Sequence, residues 1–305
     1  MKKILILIII TLFLFSCSGN SNSNINVIAI KGPTGMGMVK LIEDSDYNFT
    51  IASAPDEITA EIIKGTFDIA AVPINLAAVL YAKTEGEIQI AAINTLGVLY
   101  ILENGNTIKS IKDLNGKTIY AAAQGSTPEY ILRHILKQNN IDAEIVFYSE
   151  HSELATLMVA GEVSIAMLPE PNVTTVLNQN ENIRIALDLT EEWGKIAGTL
   201  VQGCIIVRKN FAENNKKAFE TFLNKYENSV NFVNRNPKDA SLLIEKYEII
   251  PKATIAEKAL PNCNICYIAG DEMKQTALNM FEILFEANPA SIGGKIPDDS
   301  FFYKK

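Results

Sequence analysis

At 305 residues, 48% hydrophobic and 20% charged, the chain has the balance of a globular protein of one large or two medium domains, which excludes disordered and fibrous classes. Its formal charge of -8 argues against nucleic acid or an anionic lipid surface as a partner.

Lys2 and Lys3 form a basic start, residues 4–15 are almost uniformly apolar, and Leu14-Phe15-Ser16-Cys17 then gives way to Ser18-Gly19-Asn20-Ser21-Asn22-Ser23-Asn24. An apolar run this short falls below the ~20 residues of a spanning helix and predicts a secretory signal. Leu14-Phe15-Ser16-Cys17 resembles the lipobox of bacterial lipoproteins, which implies cleavage after residue 16, acylation of Cys17 and a Ser/Asn tether over 17–25. More than one acyl chain is needed for a stable anchor. Loss of two lysines with residues 1–16 takes the formal charge from -8 to -10. Membrane attachment then rests on lipid and not on a basic patch.

From residue 26 short apolar runs alternate with amphipathic stretches. Strands are predicted at 25–30, 49–52, 69–72 and 88–93, and helices at 36–42, 54–64 and 74–83. Strict alternation of this kind means a mostly parallel sheet with both faces covered. Between the first strand and helix lies Lys31-Gly32-Pro33-Thr34-Gly35-Met36-Gly37-Met38, a Gly-rich turn expected to offer free backbone N–H groups to a ligand. Bulky replacement of Gly35 is therefore expected to abolish binding without unfolding the protein.

The second half repeats the first. Residues 57–73 align without a gap on 153–169, with Glu57/Glu153, Gly65/Gly161, Ile69/Ile165, Ala70/Ala166 and Pro73/Pro169 identical. Each copy reads as a helix ended by Gly, a strand, and a Pro opening the next helix. The Gly-rich turn also has a counterpart in Gln124-Gly125-Ser126-Thr127-Pro128, with Gly32/Gly125 and Thr34/Thr127 shared. Two similar units imply two lobes whose strand-end loops face one another across a cleft. The extended runs 99–104 and 203–208 are expected to be the crossings. The first lobe is then 26–98 with a return over 209–305, the latter carrying helices at 213–233, 237–247 and 271–287, and the second lobe is 105–202.

Candidate ligand contacts come from loops after strands: Thr34, Gly35 and Met36 in one jaw; Gly125, Ser126 and Thr127 in the other; Ser53; Asn75 and Glu170, which follow the matched prolines; and Asn94 and Thr95 before the first crossing. Capping of helix starts is the competing role for Thr34, Ser53, Ser126 and Glu170. Trp193 and Tyr100 suit stacking on a flat ligand or packing between lobes. His134 and His151, the only histidines, read as surface or capping residues, so no catalytic set is assembled. Cys263 and Cys266 have CxxC spacing without further ligands. This leaves a local disulfide or two semi-buried thiols and no metal site. The cleft loops hold no Arg, which leaves backbone, hydroxyl or stacking contacts for the ligand.

The turn over 29–41, Ser110-Ile111-Lys112-Asp113-Leu114-Asn115-Gly116-Lys117-Thr118-Ile119 and Leu260-Pro261-Asn262-Cys263-Asn264-Ile265 resemble the solute-binding lipoproteins of ABC importers, in the nitrate, sulfonate and taurine branch. The resemblance covers residues 26–303. It implies a two-lobed α/β periplasmic-binding-protein fold, type II-like, with two α/β lobes joined by two extended crossing segments. It further implies a monomer on the outer side of the cell membrane, without cofactor or catalysis, that captures a small polar or anionic solute and delivers it to a permease with its ATPase. Sulfonate, nitrate and pyrimidine-like solutes all fall within the branch. The same shape includes pyrimidine synthases and menaquinone-route dehydratases, which makes an enzyme the alternative. A surface sensor without transport is another. The pyrimidine synthases' His and Cys-rich iron motif is not matched here.

Overall fold

A computed structural model describes residues 24–53 and 55–304. The expected signal sequence, Cys17 and most of the tether lie outside these residues. The chain runs β1 (Ile25–Ile30), α1 (Pro33–Met36), β2 (Tyr47–Ala52), α2 (Pro55–Lys64), β3 (Ile69–Pro73), α3 (Ile74–Lys83) and β4 (Ile88–Leu96). It continues through β5 (Leu99–Asn104), β6 (Thr118–Ala122), α4 (Thr127–Gln138), β7 (Glu144–Tyr148), α5 (His151–Val159), β8 (Ile165–Pro169), α6 (Asn172–Gln179), β9 (Ile183–Asp188) and α7 (Leu189–Ala197). The return is β10 (Val201–Arg208), α8 (Lys209–Asn214), α9 (Lys216–Arg235), α10 (Pro237–Lys246), α11 (Ala253–Ala259), β11 (Ile265–Ile268) and α12 (Gly270–Ala287).

The strands form two sheets, ordered β11-β4-β10-β3-β1-β2 and β7-β6-β8-β5-β9. This is the expected two-lobed α/β architecture, and the repeated helix–strand–helix units are α2-β3-α3 and α5-β8-α6. In the first sheet β10 and β11 run against the other strands, β10 antiparallel to β3 and β4 and β11 to β4, and in the second β5 is antiparallel to β8 and β9. Strands β5 and β10 contain the runs 99–104 and 203–208. Instead of spanning a gap between lobes, they are hydrogen-bonded inside the sheets. The chain passes between sheets in the short steps from Leu96 to Leu99 and from Ala197 to Val201. An extended apolar run looks the same in sequence whether it crosses between lobes or fills a sheet.

Alternation along β1 sends Ile28 to one face of the first sheet and Val27 and Ala29 to the other. On the face covered by α3 and α12, the apolar core is continuous into the second lobe through Leu99, Ile101, Trp193, Leu200 and Val201. The opposite faces keep separate cores, one holding Met36, Phe219, Phe222 and Tyr226, the other Leu154, Met158, Leu168 and Val173. The C-terminus closes the first lobe: Phe301 and Phe302 are buried, and the Tyr303 N–H donates to the Ile90 carbonyl at 2.8 Å. With burial worth roughly 1.5–3 kcal/mol for a large apolar side chain, those two residues alone are a substantial clasp.

Candidate functional site

Parallel β1 and β3, with β4 running in the same sense, deliver their carboxyl ends to one edge of the first sheet, where β10 and β11 begin. The carboxyl ends of β6, β8 and β9 and the start of β5 form the corresponding edge of the second sheet. Direct bonds join the lobes. Thr127 Oγ1 donates to Asn75 Oδ1 at 2.8 Å, Asn288 Nδ2 to the Tyr130 hydroxyl at 3.2 Å, and Lys258 Nζ to Asn178 Oδ1 at 2.7 Å.

The Gly-rich turn differs from its expected form. Pro33, with its fixed φ, starts α1 inside the turn, and the helix expected over 36–42 is a single turn ending at Met36. The Gly35 and Met36 N–H groups therefore donate to the Gly32 carbonyl, at 3.1 and 2.9 Å, and are not free for a ligand. Thr34 Oγ1 donates back to the Ile30 carbonyl at 3.0 Å. Met36 is fully buried in the first lobe's core. A methyl group on Gly35 would lie 2.7 Å from the Ile30 carbonyl oxygen, so this glycine is demanded by backbone packing. Bulky replacement there disturbs the fold as well as any binding.

The second turn is also satisfied within itself. The Gly125 N–H donates to Glu129 Oε2 at 2.6 Å, and both the N–H and the hydroxyl of Ser126 reach the Ala123 carbonyl. Thr127 is spent on Asn75. Ser53 is exposed at the end of β2, the edge strand of its sheet, with its N–H on Glu57 Oε2, apart from the other candidates. Glu170 is buried and caps α6, accepting from the Thr174 N–H at 3.1 Å and the Thr174 hydroxyl at 3.0 Å. Burial pushes its carboxyl up from the ordinary value, against the opposing effect of Thr174 and Asn262.

Asn94 and Thr95 are different. Both are buried, at 0% and 1% exposure, and Asn94 Nδ2, Asn94 Oδ1 and Thr95 Oγ1 have no hydrogen-bond partner among the described residues. Their place is set by an irregularity between β4 and β10: Gly203 pairs with Thr95 and Cys204 with Ile93, which leaves Asn94 as an extra, bulged residue. A methyl group on Gly203 would lie 2.5 Å from Asn94 Oδ1 and 2.8 Å from Thr34 Cγ2. Gly203 is thus the bare floor on which Thr34 and Asn94 converge. Sequence reasoning passed over it, although a Gln-Gly pair inside the apolar run 201–207 is the usual mark of a bulge or close approach in a strand.

The remaining polar candidates are inert. Trp193 is buried in the second lobe, with the His134 ring 5.1 Å from its own, and its Nε1 also lacks a partner among the described residues. His151, expected at the surface, has a buried Nδ1 without a partner among the described residues, and desolvation pushes its pKa down to about 4. Cys204, Cys263 and Cys266 are free thiols. Burial holds the Cys263 thiol well above the ordinary range and pushes that of Cys266 up to about 12. Among the described residues no group of His, Cys, Asp and Glu is placed to hold a metal ion.

Solved structures share this architecture. An ABC transporter protein from Parabacteroides distasonis is 24% identical, with 92% of this chain and 99% of that one aligned at a TM-score of 0.81. The periplasmic aliphatic sulphonate binding protein SsuA from Escherichia coli is 16% identical over 92% and 94% of the two chains, at 0.72. The periplasmic nitrate-binding protein NrtA from Synechocystis PCC 6803 is 12% identical over 88% and 83%, at 0.63. No curated protein matches by sequence. The family model described as NMT1/THI5 like matches residues 54–240, more than half of the chain, and the protein belongs to that family.

Proposed function

We propose that this protein is the extracytoplasmic solute-binding component of an ABC importer, held to the membrane by lipid on Cys17 and acting as a monomer. The observation that carries the reading is the buried, unpartnered polar group of Asn94 and Thr95 at the edge where the lobes meet. Buried polar atoms without partners cost about 1–3 kcal/mol each, and such atoms gathered at a lobe boundary mark a place built to meet a guest. The sulphonate- and nitrate-binding proteins that share the fold support the same role.

The mechanism follows from the two short steps between the sheets. Opening at 97–98 and 198–200 separates the edges and admits the solute. Closure forms the Asn75–Thr127, Tyr130–Asn288 and Lys258–Asn178 bonds together with the solute's own contacts. A solute that binds only the closed form shifts the population toward it, and the closed form is then the one that the permease receives. The ligand set proposed is Thr34, Asn94 and Thr95 from the first lobe. Asn75, Thr127 and Glu170 shape the boundary, while Gly35, Met36, Gly125 and Ser126 support the turns beside it.

Small-angle scattering of the purified protein tests the role. A contraction on addition of a bound solute is expected, and an unchanged radius of gyration across solutes that co-purify with the protein overturns it. The anchor is tested separately. Wild type is expected in the detergent phase of a Triton X-114 partition and Cys17→Ala in the aqueous phase.

A further inference from the structure

The Asn94 amide is buried with both its donor and its acceptor unpaired among the described residues. A primary amide presents N–H and C=O side by side along one edge, and the complement of that edge is another C=O beside an N–H. The bulge on β4 holds the amide in place, with Oδ1 packed so closely on Gly203 that a Cβ there would lie 2.5 Å from it. Thr34, Thr95 and Gln202, the polar side chains around it on these elements, are uncharged. Lys31 is exposed, and the ionisable side chain buried at the facing edge, Glu170, is acidic. An anion offers acceptors only. It would leave Asn94 Oδ1 facing its lone pairs, with no buried Lys or Arg among the described residues to offset the charge.

We infer that Asn94 selects a neutral solute carrying a lactam or carboxamide edge, pairing its Nδ2 with the solute's carbonyl and its Oδ1 with the solute's N–H. The Thr95 hydroxyl supplies a further contact to the same group. This rests on the solute-binding reading above and narrows it, away from sulfonates and nitrate. Gly203 is the positioning residue, because any side chain there displaces Asn94 and Thr34 from their present places.

The test uses protein freed of small molecules by dialysis from denaturant and refolding, with melting temperature and radius of gyration as readouts. The lactams uracil and 2-pyridone are expected to raise the melting temperature and contract the protein, whereas ethanesulfonate and nitrate do neither. Asn94→Ala is expected to lose about tenfold or more in lactam affinity, the scale of losing a hydrogen-bonded pair. Asn94→Asp presents acceptors only and is expected to turn preference from uracil to benzamidine, a cation with paired N–H donors. Gly203→Ala is expected to weaken lactam binding, and with Asn94→Asp it carries the test if Asn94→Ala fails to fold. Contraction by the anions that survives Asn94→Ala, or no response of wild type to either lactam, overturns the assignment of solute class. If the solutes recovered from the native protein also fail to contract it, the solute-binding reading falls with it.

Discussion

The two edges brought together by the Asn75–Thr127 bond treat most of their polar groups differently, although Thr190 Oγ1 of the second lobe is also buried without a partner among the described residues. In the second lobe, Glu170 is paired with Thr174, Gly125 with Glu129, Ser126 with Ala123, and Asp188 with the N–H of Thr190. In the first, Asn94 and Thr95 are buried without partners among the described residues. A surface whose hydrogen bonds are already made gains little from a solute, whereas unpaired buried groups gain the full bond. On the proposed function the duplicated lobes are unequal partners, the first holding the solute and the second shutting over it.

The comparison predicts that polar substitutions in the second lobe cost stability and those in the first cost affinity. The largest effect is expected at Glu103, buried in β5. It accepts from the Thr107 N–H and hydroxyl, both at 2.6 Å, and from Arg184 Nη2 at 2.5 Å. Glu103→Ala leaves the partly exposed Arg184 guanidinium and the Thr107 donors without their acceptor, at a cost of about 3 kcal/mol. Urea unfolding followed through Trp193, which lies in the same lobe, measures it. If Glu103→Ala instead keeps wild-type stability and loses solute, the division of labour between lobes is wrong.

Next is Gly97, at the step between the sheets. A methyl group here would meet Thr190 Oγ1 at 2.2 Å and Leu200 Cδ2 at 2.9 Å, across the junction. Gly97→Ala is expected to cost about 1–3 kcal/mol as overpacking, spent on forcing the lobes apart. A larger radius of gyration that solute no longer contracts is the expected scattering result. An unchanged radius places the pivot elsewhere.

Glu170 separates itself from Glu103 through pH. At Glu103, burial alone pushes the carboxyl up, but the Thr107 and Ile108 donors and Arg184 outweigh it and hold the pKa below 4.5. Its contribution to stability is present above 4.5 and is lost as pH falls through the lowered value. At Glu170 burial wins and the pKa lies above 4.5. There the folded protein keeps a proton that the unfolded chain releases, so the contribution is present below 4.5 and is lost as pH rises through the raised value. Glu170→Gln is expected to remove the fall in melting temperature just above pH 4.5 while changing stability at pH 7 by about 1 kcal/mol or less. A mutant that retains the fall assigns it to another group.

Much of the fold was legible because it rests on local grammar. Gly65 and Gly161 ending helices, with Pro73 and Pro169 at the next helix starts, declare the repeat without any knowledge of tertiary contacts. The site was harder to read. Gly-x-Thr recurs in both turns, but Thr34 bonds back to its own strand and Thr127 reaches across to Asn75, a difference fixed by which neighbour each meets in space. Asn94 could be picked from its place at a strand end. Gly203 carried a local signal, a Gly inside an apolar strand, but its meeting with Asn94 carried none, because the bulge exists only when β4 and β10, more than 100 residues apart in the chain, pair with a residue to spare.

The smallest effect is expected where the lobes touch away from the solute. Asn288 Nδ2 donates to the Tyr130 hydroxyl at 3.2 Å, joining the end of α12 in the first lobe to α4 in the second. Tyr130→Phe keeps the ring in the shared core and removes only that acceptor, a loss of about 0.5–1.5 kcal/mol. If the proposed closure makes this bond, the loss falls on the closed population and not on the stability of either lobe. A few-fold rise in Kd with an unchanged urea midpoint is the result in keeping with unequal lobes. A lowered midpoint with unchanged Kd shows the contact to be part of a fixed interface, and closure then pivots around this contact instead of making and breaking it.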